Sequence, residues 1–407
     1  MSHGGADPKG ASATSTTSVA AAPSTSALRK GSWSQGTFIA SKDGDALTGV
    51  SCPSVTFCVA VDSAGSAIEY SGGSWVTPNG IASPNALVSV SCLNSIFCTA
   101  IDSGGTTYTF ASGSWSQGDP HQLGTGVVGA VCTAGTTCFS ADTDGGGRVF
   151  AVDGGWGGSG SLLSGTDPAG THYPFTSLSC VMAFCMAVDA EGEADSSGNQ
   201  VNVAPGTERM FGLKQLDTKG VPLTSVSCAF EADPFCVAVD NQGDAFTYSD
   251  YSWSSAHHLQ STSGDPTFVS CTTTSFCISA DHSGETFIYA NGQWSTGARI
   301  DLSNGGSTRT NAITAISCAT FAFCRAVSSS GYEYTFTNSS VKWSPSSDYQ
   351  RGWNAFLVDG VRDTDPTCSW HEGTPATDLT KGCADASRIA QRANVDGGTT
   401  PTTFPIP

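Results

Sequence analysis

The stretch SCLNSIFCTAIDSGGTTYTFASGSW, Ser91–Trp115, is one copy of a unit that the chain repeats. The same order of residues runs through Ser51–Trp75, Val131–Trp156, Ser227–Trp253, Ser270–Trp294 and Ser317–Trp343. A further copy starts at Ser179-Cys180 and loses the pattern after Gly192. Each copy carries a cysteine pair: Cys52/Cys58, Cys92/Cys98, Cys132/Cys138, Cys180/Cys185, Cys228/Cys236, Cys271/Cys277 and Cys318/Cys324. The first cysteines of successive pairs lie 40, 40, 48, 48, 43 and 47 residues apart. A period of that length, with several short strands per unit, is the signature of a β-propeller. Seven copies therefore predict an all-β, seven-bladed β-propeller.

Alternation and turn residues place four strands in each unit. In the second copy the innermost strand is Leu87–Cys92 and the next is Phe97–Asp102. The third is Thr106–Phe110, and the fourth begins around Trp115. Small apolar runs such as Val59-Ala60-Val61 suit a strand covered by neighbouring blades on both faces. Gly65, Gly105, Gly145, Gly192, Gly243, Gly284 and Gly331 follow the strand-ending Asp or Ser by three positions. Glycine there supplies the positive φ that closes a hairpin. The recurring Asp62, Asp102, Asp142, Asp189, Asp240 and Asp281 could be read as carboxylates around a channel. Capping of the turn by the Asp side chain is the favoured reading. The once-per-blade aromatics (Tyr70, Phe110, Phe150, Tyr248, Tyr289, Phe336) and tryptophans are expected to pack blades together.

The two cysteines of a pair flank a short hairpin loop, which fits a cross-hairpin disulfide. Zinc would need four ligands gathered at one place, whereas these pairs lie one per blade. Sixteen cysteines in eight local pairs favour an oxidising compartment and disulfides. Each short loop so closed is worth about 2–3 kcal/mol in chain entropy. The eighth pair, Cys368 with Cys383, would close a larger loop near the C-terminus.

Charged residues are only 13% of the 407, glycine occurs 48 times, and the hydrophobic fraction of 39% is ample for a core. The net charge of −18 opposes nucleic acid and anionic membrane surfaces as partners. No stretch is long and apolar enough for a membrane-spanning helix. The N-terminus lacks the apolar centre of a signal peptide, so the chain reads as a mature or recombinant form of a secreted, extracellular protein. A monomer is expected.

Trp33 precedes Cys52 by 19 residues, close to the 17 between Trp75 and Cys92. The N-terminal segment is thus expected to add the outer strand of the last blade, beside Tyr332–Trp343, removing a free edge. The expected organisation is a flexible Ala/Ser/Thr-rich segment over 1–30, the propeller over 31–343, and an extension over 344–407 ending in a Pro/Thr-rich tail.

No G-x-S-x-G elbow, H-E-x-x-H helix or phosphate loop is present. The histidines (His257-His258 and His282 among them) form no recognisable constellation, so no catalytic residue is assigned. No metal or cofactor is expected either; Asp142–Arg148, DTDGGGR, lacks the later ligands and closing Glu of a calcium loop. Positions that break the repeat are better candidates for an interface. They are Arg209, Met210, Phe211 and Lys214 in the Trp-less fourth unit, and Trp353 and Trp370 in the extension.

The block SVSCxxxxFCxAVDxxGxxxxY, followed by GxW, resembles the repeat of secreted bacterial seven-bladed propellers over about Gly31–Trp343. The resemblance implies a non-enzymatic protein that binds an extracellular neutral, thermolysin-like metalloprotease and promotes its self-digestion. It also implies a glutamine-donor substrate of a secreted transglutaminase. Exposed, mobile glutamines are then the candidates: Gln35 and Gln117 in WSQG, Gln293 in NGQW and Gln350 in DYQRG. Two other readings stay open. One is a carbohydrate-binding, lectin-like propeller using aromatics between blades; the other is a polysaccharide lyase or hydrolase acting at the channel mouth.

Overall fold

The computed structural model describes residues 23–42, 44–76, 81–111, 113–118, 126–132, 137–143, 147–151, 174–181, 184–196, 214–230, 234–259, 266–305 and 311–340. Within them the strands form seven separate antiparallel sheets, six made from one sequence unit each and the seventh from the last unit together with the N-terminal strands. Blade two is representative: Leu87–Asn94, Phe97–Asp102, Thr107–Ala111 and Ser114–Gln117, in meander order from inside outward. The innermost strands pack in a cycle. Leu47–Ser54 touches Leu87–Asn94, the contact passes from blade to blade to Ile313–Thr320, and that strand returns to Leu47–Ser54. The architecture is a β-propeller.

The second strand of each blade explains its composition. Phe57–Asp62, Phe184–Asp189 and Phe276–Asp281 are buried at every position. Apolar clusters form between blades rather than within them, as where Val59 and Val61 of blade one meet Tyr108 and Phe110 of blade two. The tryptophans pack at a tilt against the aromatic of their own third strand, with Tyr70–Trp75, Phe110–Trp115 and Tyr289–Trp294 centroids 5.3–5.4 Å apart. That aromatic in turn meets a Phe of the preceding blade, as in Phe57–Phe110 and Phe235–Tyr289.

Six bridges, Cys52–Cys58, Cys92–Cys98, Cys180–Cys185, Cys228–Cys236, Cys271–Cys277 and Cys318–Cys324, join the first and second strands with Cα atoms 3.9–4.1 Å apart. Such a spacing belongs to the closer kind of cross-strand pair. Cys138 is also disulfide-bonded and stands opposite Cys132 in the strand register. The eighth expected bridge has no counterpart among these, because Cys368 and Cys383 both lie outside the described residues.

In five blades the serine before the first cysteine reaches across to the next blade. The Cys92 amide donates to Ser51 Oγ at 2.9 Å, Cys228 to Ser179 at 2.9 Å, Cys271 to Ser227 at 2.9 Å and Cys318 to Ser270 at 3.0 Å. The Cys52 amide donates to Ser317 Oγ at 3.0 Å, carrying the pattern across the junction of the last and first blades. Where a second serine stands two residues earlier, it adds another rung, as from the Val226 amide to Ser177 Oγ at 3.1 Å.

The chain's beginning completes the last blade. Ser32–Trp33 and Thr37–Phe38 pair with Tyr332–Thr337, with Trp33 opposite Phe336. The Trp33 and Phe336 rings lie 5.4 Å apart, the arrangement that Trp115 and Phe110 make in blade two. Residues 23–30, placed by sequence in the N-terminal segment, are docked onto the ring. Thr25–Leu28 forms a single helical turn, Leu28 is buried among blades six and seven, and Asn338 Nδ2 donates to Ala27 O and Leu28 O. The divergent fourth unit still supplies an outer strand, Lys214–Gln215, paired with Glu193 and Ala194.

Replacing Ser317 by Ala removes the acceptor of the Cys52 amide at the seam. The expected loss is about 1–2 kcal/mol, read as a lower denaturant midpoint at unchanged m-value.

Candidate functional site

The turn between second and third strands is built the same way in most blades. Asp102 Oδ1 accepts from the Gly104 and Thr106 amides at 2.9 Å each. Asp62, Asp189 and Asp240 repeat this arrangement with their own turn amides. These carboxylates are buried caps, as the turn chemistry predicts, with Asp62, Asp102 and Asp240 each 0% exposed. The glycine three residues on has no room for a side chain; a Cβ on Gly65, at φ 84°, would collide with the Ser83 carbonyl. The central cavity is lined by innermost-strand residues such as Thr48, Val90, Ser177 and Ala315, with no ionisable group among its described lining. His282 Nδ1 donates to the Ile313 carbonyl at 2.8 Å, a structural bond.

Two places depart from the repeat. The first is the seam between blades seven and one, a cleft of about 610 Å³. Thr37–Ala40 of the N-terminal segment, Tyr70 and Trp75 of blade one, and Phe323, Arg325 and Glu333 of blade seven line it. Arg325 sits where the other blades carry Val59, Thr99, Phe139, Met186, Val237 or Ile278. It is 3% exposed, its Nη1 donates to Glu333 Oε2 at 2.8 Å and Thr335 Oγ1 at 3.1 Å, and its guanidinium lies 3.8 Å over the Tyr70 ring. Its Nε has no hydrogen-bond partner among the described residues. A buried guanidinium neutralised by one carboxylate, covered by aromatic faces and holding a spare donor, can orient a small polar group against an aromatic wall.

The second departure lies in blade four. Asp195 occupies the third-strand position that is Ile68, Tyr108, Phe246, Phe287 or Tyr334 in five other blades and Arg148 in blade three. It is 2% exposed and its Oδ1 has no partner among the described residues. Burial, with Asp189 and Glu193 nearby, pushes its carboxyl up to about 7. Burial likewise raises Asp189.

Of the expected interface residues, Lys214 is exposed on the outer strand of blade four. Arg209, Met210, Phe211, Trp353 and Trp370 lie outside the described residues, as does Gln350. Gln35, Gln117 and Gln293 are all exposed. Gln35 lies between two short strands, Gln117 ends the outer strand of blade two, and Gln293 opens that of blade six with its carbonyl held by Arg29 Nη2. Arg325 and Glu333 were missed by sequence reasoning. For Arg325 the available signal was a charged residue directly after the second cysteine, where every other copy is uncharged; the third strand, which carries Glu69, Arg148 and Asp195 in other copies, gave none for Glu333.

No protein family matches the chain by sequence, and no curated protein does. Solved structures do match its fold. The WD40 β-propeller domain of Doa1 aligns with TM-score 0.56 at 10% identity, over 77% of this chain and 99% of that one. YCF48 bound to D1 peptide aligns with TM-score 0.54 at 13% identity, over 76% and 98%. YCF48 from Cyanidioschyzon merolae gives 0.53 at 13% identity, over 76% and 100%. At these identities the likeness is one of fold.

Glu333→Gln strips the buried Arg325 of its counter-charge and is expected to cost about 3–5 kcal/mol. The double replacement Arg325→Met with Glu333→Leu is expected to recover most of that, a contrast that denaturant titration measures. Asp195 gives a pH test. Its folded value of about 7 lies above the ordinary 3.8, so its contribution is complete below the ordinary value and is lost as pH rises through 7. Asp195→Asn should flatten this fall, a relative gain on the order of 4 kcal/mol at pH 8 over pH 3, seen in melting profiles across pH.

Proposed function

We propose that this chain is an exported, non-catalytic interaction scaffold that binds a protein partner through its rim and loops. What carries the reading is the use of the repeat. Its cysteines, serines, aspartates, glycines and tryptophans are engaged in holding blades together, and the described channel lining offers no acid–base pair. The cross-strand bridges suit an oxidising, protease-containing environment. A neighbour of the same fold, YCF48, is known bound to a peptide, which supports protein ligands for this architecture.

The repeat resembles that of the dispase autolysis-inducing proteins, and we take the partner to be an extracellular neutral metalloprotease whose self-digestion the propeller promotes. In this reading Gln35, Gln117 and Gln293 are the described candidates for a transglutaminase, and Gln35, outside any strand, is favoured. Incubating the chain with a thermolysin-like protease should shorten the protease's lifetime and give a complex on gel filtration. Unchanged lifetime with no complex removes this partner. Labelling with an amine donor and transglutaminase should fall on Gln35 ahead of Gln293 and drop severalfold in Gln35→Asn.

The seam cleft favours a second reading, a carbohydrate binder with one site rather than one per blade. Only blade seven, among the described residues, places an arginine against the aromatic pair of its neighbour. Binding to an acidic-sugar array that is lost in Trp75→Ala would support it over the protease reading.

A further inference from the structure

The linker from blade four to blade five replaces a hydrogen-bond donor with an acid. In blade two, Ser83 donates its amide to Gly65 O of the preceding blade at 3.1 Å and its hydroxyl to Asp102 Oδ2 at 2.8 Å. Ser41 serves Asp62 similarly, with Oγ to Oδ2 at 2.7 Å. The residue at the Ser83 position before blade five is Asp217, whose amide donates to Gly192 O at 3.2 Å. Its side chain therefore meets the turn carboxylate of Asp240 with another carboxylate.

Each acid of the group is held by one oxygen. Asp217 Oδ1 accepts from the Lys219 amide at 2.6 Å, and Asp240 Oδ1 from the Gln242 and Asp244 amides at 2.8 Å each. Asp244 Oδ1 meets His258 Nδ1 at 2.9 Å. Asp240 Oδ2 has no partner among the described residues although Asp240 is 0% exposed, and Asp217 is 6% exposed. One carboxylate oxygen from each of Asp217, Asp240 and Asp244 lies within 4.8 Å of the others. Ligands about 2.4 Å from one ion can stand at most about 4.8 Å apart, so the three fit one coordination sphere. No Lys or Arg ion pair reaches them among the described residues.

We propose that Asp217, Asp240 and Asp244 bind a hard divalent cation, calcium for an extracellular chain, which ties the linker after blade four to the turn of blade five. All-oxygen, carboxylate-rich ligation selects calcium, magnesium or manganese over zinc or copper. Water would complete the shell. Burial and the neighbouring Asp244 and Asp217 raise the Asp240 carboxyl, whereas Asp102, equally buried but served by Thr106, Ser83, Asn85 and Gly104, is lowered. The difference between the two turns is a missing hydrogen-bond donor to the second carboxylate oxygen.

The full chain, stripped with EDTA and dialysed, is melted with and without millimolar calcium, magnesium or manganese, and titrated with calcium by calorimetry. The expected result is a single calcium site and a Tm raised by several degrees, as selective binding to the folded state requires. Asp217→Ser restores the hydroxyl found at Ser83, so it should fold, lose the calcium response and be no less stable than the parent in EDTA. Asp244→Asn should weaken calcium binding at least tenfold. A parent chain whose Tm ignores all three cations overturns the proposal, as does an Asp217→Ser variant that keeps the full shift.

Discussion

The ring depends on how the exposed edge of each innermost strand is satisfied. These strands line the channel and have no strand beyond them, so their edge amides would be left unpaired. The serine of every S-C pair that can be followed offers its oxygen as an acceptor to the cysteine amide of the next blade, and Ser317 does so for Cys52. One side chain thus satisfies an edge amide and sets the spacing between neighbouring blades. The adjacent disulfide holds that same cysteine to its own second strand, so register within the blade and register between blades meet at one residue. Threonines add the complementary contact, with Thr48 and Thr314 donating at 2.6 Å to the first-strand carbonyls of Leu87 and Leu47.

Closure puts particular demands on the last blade, whose outer part comes from the other end of the chain. Trp33 takes the tryptophan position beside Phe336, and Leu28 with the Asn338 hydrogen bonds carries the attachment one turn further. The seam is also where Arg325 and Glu333 are buried as a pair beneath Tyr70 and Trp75. Buried ion pairs add little net stability but reject wrong partners, since either charge alone is costly. At this seam the ion pair adds to the serine–amide hydrogen bond that every followed junction shares.

The departures from the repeat share a physical character. Arg325 with Glu333 puts charge where the corresponding positions of the other blades are uncharged, Asp217 faces Asp240 where Ser83 faces Asp102, and Asp195 stands where five other blades carry an aliphatic or aromatic residue. Blades four and five, which contain the acidic departures, flank the segment in which the sequence pattern breaks. Positions engaged in inter-blade packing leave little scope for specificity, so it is at these substitutions that a ligand, an ion or a partner can be distinguished.

Cysteine spacing, period-two strands, and the Asp and Gly of each turn were legible from the sequence because each acts within some ten residues of itself. The count of blades followed, and so did the closing role of Trp33, since its distance from Cys52 matches that of the other tryptophans from the cysteine that follows them. The serine before each cysteine was visible as a repeated letter, but its hydrogen bond was not, because its partner lies a full blade away. Arg325 opposite Tyr70, and Asp217 opposite Asp240, were set by the tertiary structure alone. A carboxylate in a linker reads as a solvated charge until the ring brings a second buried carboxylate against it; local pattern determined the blades, and the curvature of the closed ring decided which charges would meet.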